Sequence, residues 1–153
     1  MIIEAETGEQ IEEARRLFRE YEAWLGINLC FQSFEEELAN LPGKYAAPSG
    51  RLFLAVADEK FAGCIALRRL DAETCEMKRL YVRDGFRSSG LGRRLIERVI
   101  KEAKRIGYKR MRLDTLPDKM PQAVRLYHSY GFRQTNPYYE NPFETTLFME
   151  KQL

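Results

Sequence analysis

At 153 residues, 44% hydrophobic and 31% charged, the chain has the make-up of an ordinary soluble globular protein and not of a disordered or fibrous one. Its longest apolar runs, such as residues 52–57, are too short to cross a bilayer, and the opening Met1-Ile2-Ile3-Glu4 lacks the basic segment and apolar stretch of a signal peptide. The net charge of +2 conceals a basic block: residues 78–112 hold thirteen Lys/Arg against Asp84, Glu97 and Glu102, which leaves the remainder acidic and suggests a phosphate-bearing partner, either a cofactor or nucleic acid.

In chain order, residues 2–5 read as a strand. A helix follows, because Thr7 with Gln10 makes a capping box and Ile11, Ala14, Leu17, Phe18, Tyr21 and Leu25 recur at helical spacing. Ser33 with Glu36 repeats the signal before a short helix carrying Phe34, Leu38 and Leu41. Residues 51–57 and 61–69 read as strands joined by the turn Asp58-Glu59-Lys60, and a third strand covers residues 74–82, antiparallel to the second because only Asp71-Ala72-Glu73 separates them. Leu91, Leu95, Val99, Ala103 and Ile106 form one helical stripe that Gly107 ends. Met111, Leu113 and Thr115 alternate with Arg110, Arg112 and Asp114 as in a strand, and Pro121 opens a last helix ending at Gly131. Strands at residues 132–135 and 144–150 flank the loop 136–143. The order β-α-α-β-β-β-α-β-α-β-β predicts an α/β (α+β) fold: a mixed, mostly antiparallel sheet of six to seven strands with flanking helices and one βαβ crossover, in a single domain over residues 1–153.

The chemically informative segment is Arg87-Ser88-Ser89-Gly90-Leu91-Gly92-Arg93-Arg94, between a strand and a helix start. Helix N-termini present unpaired N–H groups and a positive dipole end, glycines let a phosphate approach the backbone, and the arginines add donors. A Walker loop is excluded because Arg93 follows Gly92 where Lys is needed, and a dinucleotide fingerprint because Leu95 stands where its third glycine belongs. Preceded by Cys75-Glu76-Met77-Lys78-Arg79-Leu80-Tyr81-Val82 and followed by Leu126-Tyr127-His128-Ser129-Tyr130-Gly131-Phe132, this loop resembles the signature of the GCN5-related N-acetyltransferase (GNAT) superfamily, Arg/Gln-x-x-Gly-x-Gly/Ala. The resemblance is sharp from about Glu76 to Phe132 and diffuse in the first fifty residues.

That resemblance implies a GNAT-like acyl-CoA N-acyltransferase fold and an enzyme that moves the acetyl group of acetyl-CoA to an amine by direct attack in a ternary complex. It assigns Arg87, Ser88, Ser89, Gly90, Leu91, Gly92 and Arg93 to the CoA diphosphate. It sets the main chain of Leu80, Tyr81 and Val82 beside the pantetheine arm, with one N–H near the thioester oxygen, and puts Thr115 and Leu116 at the edge of a cleft between splayed strands. Alkyl amines are about 10³-fold more protonated than free at pH 7, so a base is needed; Glu76, eleven residues before Arg87, stands where glutamate-using members place theirs, although a bulge in its strand leaves its face undetermined. Tyr127 matches the tyrosine that approaches the CoA sulfur. Met120 departs from the family's asparagine at that position.

Other residues have plainer readings. His128, the sole histidine, has no partners for a metal site and reads as a surface or capping residue; Cys75 reads as a small buried residue and Tyr130 as packing. Cys30, Cys64 and Cys75 lack metal spacing, so no metal is expected, and reduced thiols suit a cytoplasmic protein. The acceptor side gathers Tyr21, Trp24, Phe31, Tyr45, Tyr138, Tyr139 and Phe143 with Glu22, Glu140 and Glu144, which suggests a cationic amine acceptor. Whether that acceptor is a small molecule or a peptide stays open. A non-catalytic acetyl-CoA-binding regulatory or sensor module is the alternative. Nucleic acid is not expected as a partner, since no docking motif accompanies the basic residues; nor is a membrane, and the protein is expected as a monomer or homodimer.

Overall fold

Strand β1 (Ile2–Glu4) leads into helix α1 (Gly8–Leu25), whose start is fixed by the expected capping box: Gln10 N donates to Thr7 Oγ1 at 3.2 Å and Thr7 N donates to Gln10 Oε1 at 3.0 Å. The second box does not form. A 3₁₀ turn at Cys30–Gln32 ends with Ser33 N bonded to Cys30 O, which throws Ser33 into the left-handed region (φ 56°) at the start of helix α2 (Phe34–Ala39). An N-cap hydroxyl works from an extended backbone, so here it makes no cap bond. The structure, a computed structural model, describes residues 1–153 apart from the side chain of Phe31, so the acceptor-side reading of that residue lies outside the described residues.

Strands β2 (Arg51–Ala57) and β3 (Lys60–Arg69) form a hairpin whose two turn residues, Asp58 and Glu59, both have positive φ, the geometry that matches strand twist. After strand β4 (Thr74–Val82) come helix α3 (Leu91–Ile106), strand β5 (Arg110–Thr115), helix α4 (Pro121–Ser129) and strands β6 (Arg133–Gln134) and β7 (Leu147–Gln152). The seven strands make one sheet in the order β1-β2-β3-β4-β5-β7-β6, antiparallel except for the β4–β5 pair that α3 connects.

Both faces of the central sheet are covered, and this explains the unbroken apolar run of β2: Phe53 and Ala55 enter the core beneath α3, while Leu52 and Leu54 enter the core beneath α1 and α2. The first core is closed by Leu95, Ile96 and Val99 of α3 with Tyr127 of α4, the second by Leu17 and Phe18 of α1 with Phe34 and Leu38 of α2.

Two departures from regular pairing lie along β4. The β3–β4 register passes from Cys64↔Tyr81 to Ala66↔Lys78, so β4 holds one extra residue there, and Arg79 takes a left-handed backbone (φ 63°). This is a β-bulge, which bends the strand and leaves backbone unpaired. In addition, β4 pairs with β5 only along Thr74–Glu76, opposite Arg110–Arg112. Past Glu76 the two strands part, β4 staying with β3 and β5 with β7.

Candidate active site

The separation of β4 from β5 opens a cleft through the sheet, lined by Met77, Lys78, Arg79 and Leu80 from one strand and Leu113, Asp114 and Thr115 from the other. Leu80 and Met120 also line a second cavity on the α3 side, which runs to Arg87, Ser88 and Gly92. Gln32 and Lys78 are shared with a third, on the α2 side, that takes in Arg68, Glu76 and Tyr139. The three spaces thus adjoin one another through shared lining residues.

On the α3 side the glycine loop offers donors. None of the amides from Ser88 to Arg93 donates to a protein acceptor among the described residues, which is the usual state of a first helical turn extended here by the loop. Ser88 and Gly90 have left-handed φ of 70° and 81°, and a Cβ added at Gly90 or Gly92 would meet nothing within 4 Å. A concave run of N–H groups with open space above it, at the positive end of a 16-residue helix, suits a diphosphate. Arg87 Nε donates to Val82 O at 2.8 Å, and its guanidinium lies 4.8 Å from the centre of the Trp24 ring. Arg93 turns along the helix toward Tyr130, whose hydroxyl donates to Glu97 at 2.6 Å. Trp24, read from the sequence among the acceptor-side aromatics, lines this cavity by the glycine loop instead, and so does Lys119, which nothing in the local pattern of the β5–α4 loop marks.

The bulge sits at the junction. The register skips Arg79 and Leu80, which line the cleft, and Arg79 O accepts from Cys64 Sγ at 3.2 Å. Thr115 and Leu116 edge the cleft, and Met120, at the N-terminal end of α4, accepts a long contact from Thr115 Oγ1 to its sulfur at 3.9 Å. Tyr127 is buried with its ring 5.8 Å from Phe132. Its hydroxyl lines the cleft without a hydrogen-bond partner among the described residues, and burial raises its pKa.

Glu76 lies on the α2-side face, 1% exposed, with both oxygens engaged: Oε1 accepts from Arg68 Nε at 2.7 Å and Oε2 from Tyr138 OH at 2.7 Å. Two residues on, Lys78 is partly buried; its Nζ donates to Gln32 Oε1 at 3.1 Å and stands 4.0 Å from Glu76 Oε1. Burial, aided by the nearby Arg79 charge, lowers its pKa to about 8. Asp114 faces the same cleft from β5. Tyr139 OH donates to its Oδ2, while Oδ1 accepts nothing among the described residues, and burial raises its pKa despite that bond. Tyr139 OH in turn accepts from Asn141 Nδ2 at 2.8 Å and Gln32 Nε2 at 3.3 Å, so Lys78, Gln32, Tyr139 and Asp114 form one hydrogen-bonded chain. Thr146 Oγ1 is buried at the cleft with no partner among the described residues. Lys78 and Asp114 were not singled out in the sequence; the available signal was a pair of charged residues on facing strands.

The remaining residues take the plain roles read for them. His128 is exposed on the last turn of α4, and Cys75 is buried, its thiol pushed up to about 12 by burial. Of the glutamates read as acceptor-binding, Glu22 is committed to Leu29 N at 3.0 Å.

A family model described as Acetyltransferase (GNAT) family matches residues 11–132. An uncharacterized N-acetyltransferase of Schizosaccharomyces pombe is 39% identical over 147 residues, spanning 95% of this chain and 90% of the relative. A crystal structure of an acetyltransferase from Streptococcus agalactiae superposes with a TM-score of 0.80 at 27% identity, covering 100% of this chain and 98% of the other. A GNAT family acetyltransferase from Elizabethkingia anophelis, solved with acetyl-CoA bound, matches with a TM-score of 0.60 at 31% identity over 74% of this chain and 82% of its own.

Proposed function

Because the chain belongs to the acetyltransferase (GNAT) family, we propose that it transfers the acetyl group of acetyl-CoA to an amine by direct attack in a ternary complex. The observation that carries this reading is the cleft through the sheet, with a cradle of free amides at its α3 end and ionisable side chains at its α2 end. When bound, acetyl-CoA supplies a thioester whose carbonyl carbon an amine attacks, releasing the CoA thiol.

The amides from Ser88 to Arg93 hold the diphosphate in this reading, with Arg87 beside them; their lack of protein partners and the open space at Gly90 and Gly92 support it. The main chain of Leu80, Tyr81 and Val82 flanks the pantetheine arm in this reading, and an N–H beside the bulge stabilises developing negative charge; the break in register there supports it. Tyr127 donates to the departing sulfur, a role supported by its unpartnered hydroxyl at the cleft. Met120 replaces the family's asparagine with an apolar contact. Glu76, expected as the base, is proposed as a positioning residue, since both of its oxygens are already engaged, by Arg68 and by the Tyr138 hydroxyl. Asp114, with a free oxygen and a raised pKa, takes the amine proton.

Residues 1–153 act as one cytoplasmic domain in this proposal. Three free cysteines, two of them buried, support a reducing compartment, and no helix among the described residues is long and apolar enough to cross a membrane.

Calorimetry with acetyl-CoA, followed by thiol release across a panel of amines, tests the reading. Tyr127→Phe and Asp114→Asn are expected to keep cofactor affinity while kcat falls by about 10²-fold or more. A protein that ignores acetyl-CoA at millimolar concentration would not be this enzyme; one that binds it but acetylates no amine would be a sensor.

A further inference from the structure

Four cationic and acidic pairs on the α2-side face are internally balanced or nearly so. Arg68 is matched by Glu76 at 2.7 Å, Arg79 by Glu37 at 2.8 Å, Arg112 by Glu150 at 2.8 Å, and Arg83 by Glu20 at 2.6 Å. Lys78 and Asp114 are different. They face the same cleft from the two strands that part, yet no ion pair within 4.0 Å joins them. Each keeps unused capacity: Lys78 spends one N–H on Gln32 and has its nearest carboxylate at 4.0 Å, and Asp114 has Oδ1 free. Beside them Thr146 Oγ1 is buried and unpartnered among the described residues.

Two opposite charges held apart in a buried cleft, with donors and acceptors to spare, are costly to maintain unless something fills the gap between them. We propose that the acceptor is a free amino acid or a similar small amino-carboxylate, its carboxylate bound by Lys78 and its ammonium presented to Asp114. The proposal rests on the N-acetyltransferase reading and narrows it. It also replaces the cationic amine suggested by the composition of the acceptor-side segments. The α2-side cavity through which Lys78 is reached contains Lys44, Arg68 and Lys78 with Glu37 and Glu76, and both of those acids are already paired with arginines. Its unspent charge is positive, which favours a ligand with an anionic group.

The chemistry balances with these groups. One ammonium proton passes to Asp114 Oδ1, freeing the nitrogen lone pair. That pair forms the C–N bond to the acetyl carbon as the C–S bond breaks with its electrons going to sulfur. The nitrogen gives up its second proton after the bond forms; one of the two protons released ends on the thiol and the other leaves to solvent. Lys78 touches the substrate away from the reacting atoms and fixes the amine's orientation, so its loss is read in specificity.

The test uses the twenty common amino acids, their amides and putrescine, measured by thiol release with acetyl-CoA and by calorimetric titration of the same compounds into protein loaded with coenzyme A. At least one amino acid is expected to exceed its amide by about 100-fold in kcat/KM and to bind the loaded protein where the amide does not. Lys78→Met should erase that preference in both measurements with acetyl-CoA affinity intact; it removes a buried charge, so its melting temperature should hold. Turnover of putrescine or of amides at rates equal to or above the amino acids overturns the proposal and leaves the N-acetyltransferase standing. So does a Lys78→Met protein that still prefers the amino acid. Absence of acetyl-CoA binding removes the parent reading as well.

Discussion

Arg79 and Glu37 tie the bulge of β4 to helix α2: Arg79 Nε donates to Glu37 Oε2 at 2.9 Å and a terminal nitrogen to Oε1 at 2.8 Å, with the guanidinium 5.1 Å from the centre of the Phe34 ring. The arginine side chain is 2% exposed. A fork of this kind lets a residue in left-handed backbone be held in place from a separate element. Breaking it leaves a buried charge, so Glu37→Ala is expected to cost about 3–5 kcal/mol, seen as a large fall in denaturation midpoint, whereas Glu37→Leu with Arg79→Met should recover much of the loss. Burial pushes the Glu37 carboxyl up, but Arg79 outweighs it and leaves it below the ordinary value. The stability this pair contributes is thus present above the ordinary glutamate range and lost as pH falls through the lowered value; a Glu37→Gln protein should show a flatter acid limb in melting curves.

Gly92 separates binding from stability. It lies in the first turn of α3 with an ordinary helical backbone and open space where a Cβ would stand. Gly92→Ala should stabilise the fold by about 0.5–1 kcal/mol, because alanine loses less entropy in a helix. The same methyl group would intrude on the anion cradle. Calorimetry should therefore show weaker acetyl-CoA binding in a protein that melts higher; unchanged affinity would mean the diphosphate lies elsewhere.

Tyr139 tunes Asp114. Burial raises the Asp114 pKa, and the bond from Tyr139 OH pulls it back. Tyr139→Phe removes that bond, so the acidic limb of the kcat/KM profile is expected to move to higher pH, with acetyl-CoA affinity unaltered. A profile that does not move would show that Asp114 is not the group whose ionisation limits the rate.

Alkaline stability should reflect opposing groups. Lys78 titrates near 8 when folded and 10.5 when unfolded, so between those values the unfolded chain binds the extra proton and stability gains with pH. The thiols of Cys64 and Cys75 and the phenols of Tyr45, Tyr127, Tyr138 and Tyr139 are all raised by burial. Above the ordinary thiol value of 9.0 the unfolded chain releases protons that the folded state keeps, and stability is lost. Being more numerous, the second set wins, and the melting temperature should fall from pH 9 to 11. In Lys78→Met the fall should be steeper up to pH 10.5, since the opposing contribution is gone.

The fold was legible wherever one local signal acts alone. The Thr7–Gln10 box, the stripe of α3, the apolar run of β2 and the alternation of β5 need no knowledge of distant residues. Ser33 shows where this fails: its hydroxyl and Glu36 have the right spacing, but the 3₁₀ turn before it sets a backbone from which the cap cannot be made. The unpartnered amides of the glycine loop were foreseeable because they follow from backbone and sequence neighbours. The ionisable end of the cleft was not. One extra residue in β4 puts Lys78 and the adjacent Arg79 on the same side, reaching Gln32 and Glu37, so alternation cannot be counted through the bulge. The phenols that donate to Glu76 and Asp114 come from Tyr138 and Tyr139, more than twenty residues away in an irregular loop whose path no periodicity reveals.

Cavities that adjoin the cleft from the α3 side and from the α2 side have a kinetic meaning. Two ligands that reach a common point from opposite sides do not compete for one doorway, and neither must depart before the other arrives. Initial-velocity plots against the two substrates should then intersect, not run parallel, and desulfo-CoA should inhibit competitively toward acetyl-CoA but noncompetitively toward the amine. Each half of the molecule could then diverge by mutation in its own specificity without blocking traffic through the other.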